Sequence, residues 1–138
     1  MPESIPMLLN SDEIAPDLGT LALRLTAGGT LLMQHGLPKL MEFGKLSDTF
    51  PDPLGVGHFL SLVMILLAEV VAAALVTLGL WTRLSTIPPI IAMAVATFMQ
   101  NGDDPFKKQE LGFLYMMAFI AIFLLGSGRF SLDRLNFN

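Results

Sequence analysis

Glu69 stands in the run LLAEVVAA at residues 66–73, where every neighbour is apolar. Placing a charge at the centre of a membrane helix costs about 2.5 to 3.5 kcal/mol, whereas each Leu, Ile, Phe or Val returns about 0.3 to 0.6. The segment carries enough of these to insert regardless, so the carboxylate is a tolerated expense and marks a functional site whose partner has to be found. Two readings stay open. Either the group is ionised and engaged by a cation or ligand, or it is protonated or hydrogen-bonded and only pins helix packing.

The expected partner is Arg24, two turns into the first apolar segment from its terminal side. An antiparallel second helix would bring Glu69 within reach of a guanidinium, and a bidentate pair ionises both groups at lower cost than either alone. The alternative is that Arg24 snorkels to the interface. Arg24, Gly28, Leu31, His35 and Lys39 follow at offsets 0, 4, 7, 11 and 15, one stripe of an α-helix that collects the segment's charges and its histidine. His35 and Lys39 should emerge at the face where a third helix ends at Gln100 and a fourth starts around Glu110. Those four residues form an expected mouth cluster, able to hold an anion, a quinone head group or a partner's loop, with His35 placed to relay protons. Each of them also reads as an ordinary interfacial side chain.

Other chemistries find little support. There is no cysteine, which excludes disulfides, thiolate metal sites and cysteine-ligated clusters. His35 and His58 would form a bis-histidine haem pair only if a loop brought them together, no metal site is expected, and no glycine-rich nucleotide motif occurs. A net charge of −4 without a basic cluster argues against nucleic acid as a partner.

The elements that must position these residues are apolar blocks. Charged residues make up 14% of the 138 residues and hydrophobic ones 53%, with a mean hydropathy of +0.63. Soluble domains carry roughly 25% charge, so the chain reads as an integral membrane protein in contact with the bilayer. The expected fold class is all-α, a four-helix antiparallel membrane bundle, with helices at about 18–38, 58–80, 83–100 and 105–126. Residues 1–17 form an extension whose acids argue against a secretory signal, 18–134 the helical domain, and 135–138 a tail.

Asp104-Pro105 reads as an N-cap followed by a first-turn proline, and Asp52-Pro53 offers the same signal, with Gly55 and Gly57 suggesting an irregular lead-in instead. Pro88 and Pro89 should kink the third helix or free carbonyls. Gly79 and Gly126 should close the second and fourth helices, and GLWTRLS forces a tight hairpin. Four passes put both termini on one side. Three arginines flank that side (Arg83, Arg129, Arg134) and four lysines the other (Lys39, Lys45, Lys107, Lys108), so charge does not set the orientation.

As an ordered set, Arg24, QHGLPKL (34–40), Glu69, GLWTRLS (79–85), Glu110 and GSGRFSLDR (126–134) resemble the DoxX family, small four-helix membrane proteins within the broader DoxD-like group. The resemblance spans about residues 18–134. It implies a bacterial or archaeal inner-membrane protein linked to redox metabolism, with relatives serving as subunits of thiosulfate:quinone oxidoreductase or as membrane partners of oxidant-defence enzymes. Relatives often carry a histidine near the end of the third helix, where this chain has Gln100.

The function expected from these features is a small membrane subunit that binds a quinone or another lipophilic carrier at a buried Arg24/Glu69 site. It would exchange protons there and receive electrons from a partner protein, as an accessory subunit of a quinone-linked oxidoreductase; whether it catalyses anything itself stays open. The alternative is a non-catalytic structural or assembly subunit of a larger complex, with other membrane or peripheral subunits, or further copies of the chain, as partners. Passage of a small solute through the bundle would require an oligomer.

Overall fold

The computed structural model describes residues 5–137. Helix α1 occupies residues 16–41 as an α-helical Pro16–Leu31, a π-helical Leu32–Gly36 and an α-helical Leu37–Met41. A short α2, Phe43–Leu46, follows. The next three helices are α3 at His58–Leu78, α4 at Thr82–Gln100 and α5 at Phe106–Leu125, each long and apolar enough to cross a membrane. A last short helix, α6, covers Leu132–Phe137, in place of most of the tail expected at 135–138.

The four long helices form an antiparallel bundle. Arg24 of α1 lies against Val76 and Thr77 of α3, whereas Gly36 of α1 lies against Glu69, so the two run in opposite directions. Arg83 bonds to Phe123 while Gly112 meets Thr97, which sets the same relation between α4 and α5. The core holds Leu31, Val76, Phe119 and Ile122, all fully buried. Outward, the bundle presents leucines, isoleucines and phenylalanines such as Leu67, Ile91 and Leu124, the arrangement that suits a lipid solvent. Lipid gives helices no hydrophobic reason to associate, so close backbone approach has to do it. Gly28 supplies one such approach: a Cβ there would sit 2.6 Å from Thr77 Oγ1 and 3.0 Å from the Ala73 carbonyl oxygen.

Three of the long helices contain a π-helical turn, at Leu32–Gly36, Leu67–Ala72 and Val95–Gln100. The first precedes Pro38, and the Leu37 amide donates back five residues to the Leu32 carbonyl. That extra residue per turn is one way to relieve the clash between a proline ring and the preceding turn, so α1 continues to Met41, three residues past the expected end. In α4, Pro88 and Pro89 have no N–H to donate, so the Leu84 and Ser85 carbonyls lack their intrahelical donor, as expected. Thr82–Ala94 is α-helical straight through Pro88 and Pro89.

Helix ends are tied by side chains from distant segments. Trp81 and Thr82 donate backbone amides to the Asp133 carboxylate at 2.6 and 2.8 Å, and Thr82 Oγ1 donates at 2.7 Å. Asp133 therefore caps the start of α4 from across the chain, satisfying amides that have no partner inside the helix. Gly79 ends α3 in the left-handed conformation, φ 74°, as the hairpin requires. At the opposite end, Asp52 accepts from the Val56 and Gly57 amides and from Ser61 Oγ, so the lead-in to α3 is the irregular one. Asp104 is not a cap: α5 begins at Phe106, with Pro105 at the cap position and no side-chain cap bond.

Candidate functional site

The expected Arg24–Glu69 pair does not form. Arg24, 1% exposed, donates from Nε to the Val76 carbonyl and from Nη2 to that of Thr77, both at 3.0 Å. Its Nη1 donates to the carbonyls of Ser127 at 3.0 Å and Phe130 at 2.8 Å. The reason is register. Arg24 sits at the level of residues 76 and 77, seven or eight residues from Glu69, which at about 1.5 Å per residue is more than 10 Å along the helix. A planar fork with five donors suits the carbonyls at the end of α3 and in the turn after α5, and it clamps both to α1.

Glu69 pairs instead with Lys39. The Lys39 ammonium lies 2.8 Å from Glu69 Oε1, with the carboxylate side chain 4% exposed and the lysine side chain 25%. Oε1 has no partner besides this ammonium, and Oε2 has no hydrogen bond or ion pair, among the described residues. Lys39 Nζ also lies 3.4 Å from the His35 carbonyl, one turn back on α1. The His35 ring meets Tyr115 of α5 edge to face, centroids 5.6 Å apart. Three helices thus contribute four polar side chains to one region: Lys39 and His35 from α1, Glu69 from α3 and Tyr115 from α5.

The π turns create this arrangement. Both His35 and Glu69 lie within one, and the two turns meet where Gly36 packs on the Glu69 backbone. A Cβ at position 36 would collide with the Glu69 carbonyl, so glycine is what permits the approach. Widened turns of this kind recur at functional sites because they aim a side chain off the regular helical stripe.

Of the expected mouth cluster, His35 and Lys39 are together, while Gln100 and Glu110 are exposed and have no polar contact with them among the described residues. Gln100 instead lines a separate apolar groove of about 380 Å³ between α3 and α4, roofed by Phe50, Pro51 and Leu54. Tyr115 was the residue to add: the chain's single tyrosine, set in the apolar run of α5. A second groove, about 250 Å³ and almost wholly apolar, reaches Tyr115 between α1 and α5, past Leu23, Ala27, Leu111 and Leu114. No group of His, Asp and Glu suited to a metal occurs among the described residues.

Fold and site define a small multi-pass membrane bundle built around a buried Lys–Glu ion pair. A family model described as DoxX matches residues 19–102, and the chain belongs to the DoxX family. The match takes in Arg24, His35, Lys39, Glu69 and the hairpin at 79–85; Glu110, Tyr115 and the 126–134 segment lie beyond it. No curated protein and no solved structure matches the chain.

Proposed function

We propose that the chain is a membrane subunit linked to redox metabolism that binds a quinone-type lipophilic carrier beside Glu69 and exchanges protons with it. The observation that carries this reading is Glu69 itself: a carboxylate deep in the bundle whose Oε1 is held by the Lys39 ammonium and whose Oε2 takes no hydrogen bond or ion pair among the described residues. A quinol hydroxyl is a donor of the kind that oxygen lacks, and buried polar atoms without partners are costly. The apolar groove at Tyr115 suits a lipid-soluble tail. Reduction of a quinone takes two electrons and two protons; His35 and Glu69 would handle the protons, and a partner protein would supply the electrons. The setting in this reading is an inner membrane, in a complex with other subunits or copies of the chain.

The test is to purify the full chain in mild detergent from quinone-containing membranes and extract bound lipids. Retained quinone that disappears in Glu69→Gln supports the reading, and its absence from both proteins rejects it. A second reading, an assembly subunit without a ligand, draws on Arg24, whose guanidinium spends four hydrogen bonds on holding backbone segments together. In that case Glu69→Gln lowers the amount of assembled complex and leaves activity per complex unchanged.

A further inference from the structure

A cavity of about 700 Å³ lies at the end of the bundle opposite Lys39. It opens where α4 begins at Thr82 and α5 ends at Leu125, beside the hairpin that closes α3. Helices that span a bilayer end at its headgroup layer, so the cavity sits at that depth. From its structure we infer that it binds the headgroup of a zwitterionic aminophospholipid, with the phosphate between Arg83 and Arg134 and the ammonium at Glu13 and Asp17.

The lining separates by availability. Arg83 uses only Nε, on the Phe123 carbonyl at 2.9 Å, and its two amino groups have no acceptor among the described residues. The Arg134 side chain has no hydrogen bond or ion pair among them either. Two guanidinium groups at one cavity without a carboxylate partner are a fitting receptor for a phosphodiester. On the acidic side, Asp133 is committed to Trp81 and Thr82 and is not available to a ligand. Asp17 spends Oδ1 on the Arg129 amide, which leaves Oδ2, and Glu13 has no bond among the described residues. Free positive and free negative groups therefore face one cavity. That pattern selects a headgroup carrying both charges over a purely anionic one.

The surroundings argue for a lipid. Trp81 is 53% exposed at the rim, as tryptophan is at bilayer interfaces, and its backbone is held at φ 49°, a conformation side chains rarely adopt. Leu84, Leu125 and Phe137, all exposed, add apolar surface to the same lining, against which acyl chains would lie.

The experiment is native mass spectrometry of the full chain in detergent, titrated with phosphatidylethanolamine, phosphatidylglycerol and phosphatidylcholine of identical acyl chains. Phosphatidylethanolamine should bind best, its affinity should fall about tenfold in Arg134→Gln, as expected for a lost charge-assisted bond, and Glu13→Gln should erase its advantage over phosphatidylglycerol. Lys107→Gln, at the opposite end, should change nothing. Equal binding of the three lipids, or a loss in Lys107→Gln as large as in Arg134→Gln, overturns the inference. Soluble glycerophosphoethanolamine separates the sources of this chemistry: failure to displace the lipid at equal concentration supports a lipid site, and displacement overturns it in favour of a soluble phosphodiester.

Discussion

Lys39 on α1 and Glu69 on α3 form an ion pair at 2.8 Å in which the acid is buried and the base is a quarter exposed. The two ends of the pair therefore have different costs of separation. The lysine can move its charge toward the exposed end of α1; the carboxylate has nowhere to go.

Removing the base is consequently the more damaging change. Lys39→Met leaves a carboxylate buried without compensation and should destabilise by about 3–5 kcal/mol, whereas Glu69→Gln should cost about 1 kcal/mol. The double variant Lys39→Met with Glu69→Met should recover most of the loss, since an apolar pair is often as stable as the ion pair it replaces. Thermal unfolding in one detergent compares all three, and a Lys39→Met melting temperature at or above that of Glu69→Gln contradicts the assignment.

Arg24 should behave as an independent unit. Arg24→Lys keeps the charge but cannot reach four carbonyls, so a loss on the order of 3 kcal/mol is expected despite the conservative change. Combined with Glu69→Gln, its effect should add to within about 0.5 kcal/mol, because the two sites are about 10 Å apart along the bundle and share no partner. Lys39→Gln with Glu69→Gln should instead show a coupling of about 0.5–3 kcal/mol. Exchanging charges between positions 24 and 69 should restore nothing. Coupling between Arg24 and Glu69 as strong as that between Lys39 and Glu69 would restore the pairing expected from sequence.

Glycine positions on α1 separate close approach from empty surface. Gly36→Ala places a methyl against the Glu69 carbonyl and should cost about 1–3 kcal/mol by pushing α1 from α3. Gly29→Ala meets nothing within 4 Å and should be neutral or stabilising by up to about 1 kcal/mol through helix propensity alone. If the lipophilic carrier binds at Glu69, its retention should fall in Gly36→Ala and persist in Gly29→Ala.

These contrasts show which features the sequence carries and which it hides. The helical blocks, the hairpin at 79–85 and the need of Glu69 for a cation are compositional, and composition survives any local irregularity. The identity of the cation depends on register, and a π turn inserts a residue without leaving a mark in hydropathy. The stripe from Arg24 to Lys39 assumes a constant 3.6 residues per turn; the turn at Leu32–Gly36 breaks it just before Lys39. Arg24 was concealed for another reason. Its partners are backbone carbonyls, and every residue type offers those. Asp133 carries the same lesson in reverse, because its role at the start of α4 becomes legible only when residues 81 and 133 are brought together.

Asp52 predicts an acid sensitivity outside the membrane-spanning helices. Desolvation alone would raise its pKa, but donors from the Gly57 amide, Ser61 Oγ and the Val56 amide, with His58 nearby, outweigh it and hold the carboxyl below its ordinary value of 3.8. A depressed folded-state pKa means the ionised form supports the lead-in to α3. That contribution is fully present above the unfolded value and is lost as pH falls through the folded one. Asp52→Asn cannot ionise, so it should melt lower than the unaltered chain at pH 7, and the gap should narrow as pH is lowered past 4 toward 3. Melting curves across that range in a fixed detergent measure it. A gap that stays constant with pH means that the charge on Asp52 adds nothing to the fold and that its hydrogen-bonding shape, which asparagine partly keeps, accounts for its place before α3.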